Sequence, residues 1–206
     1  MEIPQQILVV DDEPLVTRSC RRVLSEAGYK VETAGSGRDG IRLALRKGFD
    51  VVLTDLKMPD LDGMEVVRTL RREQPATAIV VITGYGTIPS AVEAAKLGAS
   101  DYIEKPFTPA RLLQAAAEAV RVAAEDRKKH IQATLVKEVL RLASRDRCFG
   151  ASLTEKGACV LSGYPLSADA KAAIADGDIA WIEKECGDLS AEEREWLARR
   201  FENNAS

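Results

Sequence analysis

Histidine is nearly absent from this chain: His130 is the only one in 206 residues. With Cys20, Cys148, Cys159 and Cys186, which include no C-x-x-C pair, it makes no recognisable zinc set. The cysteines are read as reduced and incidental. No sign of charge predominates either. Lys and Arg number 29 against 32 Asp and Glu, for a formal net charge of −3. Such mild acidity lacks the clustered basic footprint of a dominant nucleic-acid binder. No uncharged run approaches the ~20 residues of a membrane span. The N-terminal stretch MEIPQQILVVDDEP has neither the basic region nor the long apolar segment of a secretory signal. A cytoplasmic protein without membrane contact is the expectation. A G-x-x-x-x-G-K-[ST] phosphate loop and a convincing helix-turn-helix are also missing, which removes an ATPase module and argues against direct DNA contact.

What is present is periodic. Ile7 to Val10, Val51 to Thr54, Ile79 to Thr83 and Tyr102-Ile103 are short apolar runs, with a weaker one around Val31. Runs of this length rich in Val and Ile are typical of strands covered on both faces. Between them lie stripes of helical spacing: Leu15, Val16, Cys20, Val23, Leu24 and Ala27; then Ile41, Leu43, Ala44 and Leu45; then Met64, Val66, Val67 and Leu70; then Val92, Ala95 and Lys96. Strands alternating with helices imply a doubly wound α/β domain with a parallel sheet, and five such units use about 120 residues.

From Thr108 the pattern changes. Thr108-Pro109 is a good N-cap and first-turn pair, and no Gly or Pro follows before Gly150. A helix of up to about forty residues is expected there, far above the average length. Residues 121 to 149 carry eight basic and four acidic side chains, whereas 150 to 206 carry six basic and eleven acidic. The basic spot Asp126 to His130 reads as a solvated helix face. In the tail, Ser152-x-x-Glu155 and Ser190-x-x-Glu193 have the capping-box pattern, and Gly163, Pro165, Gly177 and Gly187 punctuate three or four short helices. The expected division is 1–122, a helical linker over 123–149, and a small all-helical domain over 150–206.

Polar residues end the apolar runs. Asp11 and Asp12 follow ILVV, Asp55 follows VVLT, Thr83 ends IVVIT, and Lys105 follows Tyr-Ile-Glu. In an open α/β sheet the C-terminal strand ends border one crevice, where ligands bind. Carboxylates gathered there repel one another and invite a hard divalent cation, for which an oxygen-only donor set favours Mg²⁺. With the cation in place, one carboxylate can attack a phosphoryl group while Lys105 and Thr83 stabilise the transferred oxygens.

The series VVDDEP, LTDLKMPDLDG, ITGYGT and DYIEKPF resembles the receiver domain of two-component response regulators, over about residues 5 to 122. The resemblance implies a flavodoxin-like sheet of strand order 2-1-3-4-5. It implies that Asp55 accepts a phosphoryl group from a sensor histidine kinase or phosphotransfer protein. Asp12, Asp55 and the backbone carbonyl of Lys57 would hold Mg²⁺, with Asp11 assisting through water. Thr83 and Lys105 would contact the phosphoryl group, and Tyr102 would be the aromatic switch. Lys105-Pro106 matches a bond that is usually cis in the family. Met58-Pro59 and Asp62-Gly63 read as turn chemistry.

The output is read less directly. Residues 150–200 weakly resemble the small helical domain of extradiol dioxygenase small subunits, which hints at a helical interaction module, without dioxygenase activity. An output protein engaged through 150–206 is therefore expected, together with a homodimer through the receiver or the long helix. Leu112, Leu113, Ala116, Val120, Ile131, Leu135, Val139 and Leu142 form the candidate seam, for dimerisation or for docking within the chain, and their spacing does not choose between the two. One alternative is a transcriptional regulator contacting DNA through the basic linker. Another is a metal-dependent aspartyl phosphohydrolase, which expects an acid where this chain has Lys57.

Overall fold

The structure, a computed structural model, describes residues 4–204, with side chains described through Arg199. Each apolar run forms a strand: β1 Gln6–Val10, β2 Lys30–Ala34, β3 Val51–Thr54, β4 Ala78–Thr83 and β5 Asp101–Glu104. All pair in parallel in the order β2-β1-β3-β4-β5. The register sets Val10 beside Thr54, Thr54 beside Val81, and Thr83 beside Glu104, so the residues that leave β1, β3, β4 and β5 emerge along one edge.

The period of two in the strands divides the core into two layers. Ile7, Val9, Val51, Leu53, Val80 and Ile82 face Cys20 and Leu24 of α1 (Pro14–Glu26) and Leu112 and Ala116 of α5 (Pro109–Arg145). Leu8, Val10, Val52, Ile79 and Val81 face Ala44 of α2 (Gly37–Lys47), Val67 and Leu70 of α3 (Gly63–Glu73), and Ala94 of α4 (Ile88–Lys96). Burial of each Val, Leu or Ile side chain contributes roughly 1.5–3 kcal/mol. Helix starts follow local chemistry: the Ser36 and Asp62 side chains cap α2 and α3, and Thr87 with Ser90 forms a capping box on α4.

The chain forms two compact units, residues 1–127 and 128–206. Helix α5, 37 residues long, contributes to both. In the first unit Ala115, Ala116, Ala119 and Ala123 are buried, and Arg127 pairs with Asp50 at 2.5 Å. In the second, Val136, Val139, Leu140 and Ala143 of α5 build a separate core with Leu153 of α6 (Arg147–Lys156), Leu161 of the 3-10 turn Gly157–Leu161, Ala170 and Ile174 of α7 (Ala168–Asp176), Ile182 of α8 (Ile179–Cys186) and Leu197 of α9 (Ala191–Asn204). Residues 128–145 are thus core-forming in the second unit. Trp181 and Trp196 pack against this core.

Several local expectations are corrected. The long helix breaks at Asp146, whose side chain accepts from the Cys148 and Phe149 N–H groups and starts α6. A carboxylate that competes for backbone donors starts a new helix where no Gly or Pro stands. Ser152 and Glu155 therefore lie inside α6, whereas Ser190 and Glu193 form the reciprocal pair, at 2.8 and 3.2 Å, that opens α9. Leu15 is 70% exposed, and Leu45 and Val92 are also exposed, so the apolar stripes are narrower than their spacing indicated. Most of the candidate seam along α5 docks within the chain: Leu112, Leu113, Ala116 and Val120 pack in one core, Leu135 and Val139 in the other, and Ile131 and Leu142 stay exposed.

Candidate functional site

β1 ends at Val10, so Asp11 and Asp12 leave the sheet at the same edge as Asp55 after β3. Ligand oxygens of Asp11, Asp12 and Asp55 lie within 4.8 Å of one another. Asp11 and Asp55 are buried. Lys105, directly after β5, reaches across the edge: its Nζ stands 2.7 Å from Asp11 Oδ2, 2.9 Å from Asp55 Oδ2 and 2.9 Å from Glu13 Oε1. Its side chain is only 13% exposed. Burial lowers the Lys105 pKa, but hydrogen bonds to Asp11, Asp55 and Glu13 outweigh it and hold the ammonium above its ordinary value. Burial dominates at Asp11 and raises its carboxyl above the usual range, against the opposing bonds from Lys105 and from the Glu13 N–H at 2.8 Å.

The loop after Asp55 is shaped by close contacts. The Lys57 N–H donates to Asp55 Oδ1 at 3.3 Å. Gly63 opens α3 directly beneath: a Cβ there would stand 1.9 Å from the Asp55 carbonyl oxygen, so only glycine fits. Asp60 accepts from the Gly37 and Arg38 N–H groups at 3.1 and 3.0 Å, which ties this loop to the start of α2. The bond from Arg38 leads in holding the Asp60 carboxyl below the usual range.

Thr83, the last residue of β4, is fully buried, and its Oγ1 accepts from the Tyr85 N–H at 3.2 Å. Tyr102, second in β5, is half-buried, and its hydroxyl lies 3.0 Å from Ser90 Oγ. Lys105-Pro106 is cis.

Asp11, Asp12, Asp55 and Lys105 therefore form one cluster, while the polar tips of Thr83 and Tyr102 engage the β4–α4 segment. Glu13, Ser90 and Asp60 escaped the sequence reading. Glu13 adjoins the aspartate pair, but its side chain looks like an ordinary first-turn acid. Ser90 and Asp60 find their partners only through the tertiary arrangement.

The donor set, carboxylate oxygens with no nitrogen or sulfur ligand, suits a hard divalent cation such as Mg²⁺. Beside it a carboxylate and an ammonium adjoin, the parts needed for a group transfer that moves negative charge.

Residues 7–117 match the family described as "Response regulator receiver domain". Transcriptional regulatory protein ResD of Bacillus subtilis is 34% identical over 172 residues, which is 84% of this chain and 63% of ResD. The C4-dicarboxylate transport transcriptional regulatory protein DctD of Pseudomonas aeruginosa is 37% identical over 142 residues, 69% of this chain and 29% of DctD. The chain thus spans less than two thirds of the length of these curated relatives. The crystal structure of a CheY-like response regulator receiver domain protein from Methanospirillum hungatei superposes with a TM-score of 0.58 at 29% identity, covering 60% of this chain and 98% of that one. These matches lend no support to the dioxygenase resemblance of residues 150–200. The matched segment, the strand order and the strand-end cluster agree: the chain belongs to the response regulator receiver domain family of two-component signalling.

Proposed function

We propose that Asp55 accepts a phosphoryl group from a phosphohistidine of a sensor kinase or phosphotransfer protein, and that this switches the interactions of an output carried by residues 150–206. The observation that carries the reading is the convergence of Asp55 and Lys105, 2.9 Å apart, beside two further aspartates. An Asp55 oxygen attacks phosphorus, the N–P bond breaks, and the leaving imidazole keeps the electron pair and takes up a proton. Lys105, already within reach of Asp55, follows the charge onto the transferred oxygens. Asp11, Asp12, Asp55 and the backbone carbonyl of Lys57 would hold Mg²⁺. The cation supplies neutralisation of the carboxylates and of the charge developing on the phosphoryl oxygens. Phosphorylation adds negative charge and strong acceptors at Asp55, which draws the Thr83 hydroxyl from Tyr85 and lets Tyr102 turn.

The test is intact mass after incubation with acetyl phosphate and Mg²⁺. One phosphoryl group is expected on the wild type and none on Asp55→Asn; equal labelling of the variant overturns the assignment.

The names of the relatives support a second reading, a transcriptional regulator that contacts DNA through exposed Arg127, Lys128, Lys129 and His130. It predicts salt-dependent duplex binding in a gel-shift titration, and absence of binding at low salt removes it.

A further inference from the structure

Ser90, the third residue of α4, is engaged on several sides. Its Oγ lies 2.9 Å from the Thr87 carbonyl, 3.1 Å from the Thr87 nitrogen, 3.0 Å from the Thr87 hydroxyl and 3.0 Å from the Tyr102 hydroxyl. A serine hydroxyl has one proton and two lone pairs. With the two lone pairs taken by the Thr87 N–H and the Thr87 hydroxyl, the Ser90 proton goes to the Tyr102 hydroxyl, which accepts, while the Thr87 carbonyl takes the Ala91 N–H at 3.0 Å. One oxygen thus closes the capping box of α4 and holds the tip of the tyrosine. Among the described residues, the Tyr102 hydroxyl has no other hydrogen-bond partner. Its ring packs against the core layer that includes Val81 and Ala94.

The same segment leads back to the site. Thr83 Oγ1 accepts from the Tyr85 N–H, and only Gly86 separates Tyr85 from Thr87, the N-cap that Ser90 closes. Thr83 and Tyr102 are therefore joined through a stretch of eight residues, with Ser90 at its far end. A bond that exists in one orientation of Tyr102 and is lost in the other biases the equilibrium by its own worth, and by linkage biases whatever chemistry favours the other orientation.

We propose that Ser90 is a positioning residue: it tethers Tyr102 in the orientation seen here, and the tether opposes the rearrangement that a phosphoryl group on Asp55 drives through Thr83. This rests on Asp55 being the phosphoacceptor. Ser90 then sets how readily the receiver switches while touching neither phosphoryl group nor cation.

The experiment uses the full chain and titrates beryllofluoride, a phosphoryl analogue, in the presence of Mg²⁺. Ser90→Ala is expected to bind it roughly threefold to tenfold more tightly than wild type, the worth of one net hydrogen bond. Ser90→Thr, which keeps the hydroxyl, returns to the wild-type affinity. In a Tyr102→Phe background, Ser90→Ala has no further effect. A Ser90→Ala affinity equal to wild type, or a gain that persists unchanged with Tyr102→Phe, overturns the tether. A wild type that binds no beryllofluoride and takes no phosphoryl group from acetyl phosphate overturns the phosphoacceptor reading with it. Wild-type labelling with an unaltered Ser90→Ala overturns the tether alone.

Discussion

Lys105 Nζ stands 2.9 Å from Asp55 Oδ2 although fifty residues of chain separate them. The same ammonium meets Asp11 at 2.7 Å, so one cation is shared by two buried carboxylates. Such an arrangement holds charge that is only partly balanced.

Asp11 makes the imbalance measurable through pH. Because burial raises its carboxyl in the folded state, the native protein binds that proton more tightly than the unfolded chain. Stability without divalent cation therefore falls as pH rises from the ordinary Asp value of 3.8 through the raised one. Asp11→Asn is expected to flatten this decline and to raise the melting temperature at pH 7 by roughly 2–4 °C. Thermal melts from pH 3 to 8 in chelator check it, and an unchanged profile refutes the assignment.

Under the proposed function, Mg²⁺ is expected to neutralise the acidic cluster and so to offset its repulsion. Binding to the folded state alone stabilises by about 2.7 kcal/mol at one hundred times Kd. Melting temperature is expected to rise with added Mg²⁺ in the wild type and much less in Asp12→Asn. Calorimetric titration of both proteins decides the matter.

Gly63 is expected to tolerate no side chain. Gly63→Ala drives a Cβ to 1.9 Å from the Asp55 carbonyl oxygen, and backbone on both sides must shift. A loss of about 3 kcal/mol or more is expected, at the upper end of overpacking costs. Urea unfolding, with acetyl phosphate labelling of the folded fraction, reads the stability and the displaced Asp55 together.

Cysteine accessibility reports on both units. Cys148 and Cys159 are exposed, Cys186 is half-buried, and Cys20 is buried with its thiol pushed up to about 11 by burial and then by the nearby Asp11 charge. A thiol reagent at pH 8 is expected to modify Cys148 and Cys159 fast, Cys186 more slowly, and Cys20 only on unfolding of the first unit. Peptide mass mapping over time separates the four, and early labelling of Cys20 contradicts the core around α1.

The second unit has its own core, so damage to it is expected to spare the receiver chemistry. Leu153 is fully buried there. Leu153→Ala is expected to destabilise that unit by about 2–5 kcal/mol. Labelling at Asp55 continues at the wild-type rate, and proteolysis concentrates beyond residue 128.

The sheet was legible because Val51 to Leu53 and Ile79 to Ile82 are continuous apolar runs, and each is closed by a polar residue whose position marks the strand end. Asp11, Asp12, Asp55, Thr83 and Lys105 could be placed at one edge for that reason. The edges of the helices were less legible. Leu15 and Leu45 have the spacing of core residues but no neighbouring layer above them, and Asp146 starts a helix through a side-chain bond that competes with continuation.

By itself the sequence determined the alternation of strands and helices, the acid cluster at the strand ends, and the lack of any apolar run long enough to span a membrane, because hydrophobic periodicity and strand-end chemistry are local properties. Only the tertiary structure decided that Lys105 is shared among Asp11, Asp55 and Glu13, that Gly63 lies against the Asp55 backbone, that Ser90 meets Tyr102, and that residues 128–145 build a second core. Each of these is a meeting of atoms from separate elements, and which side chains meet is set by the packing of whole layers.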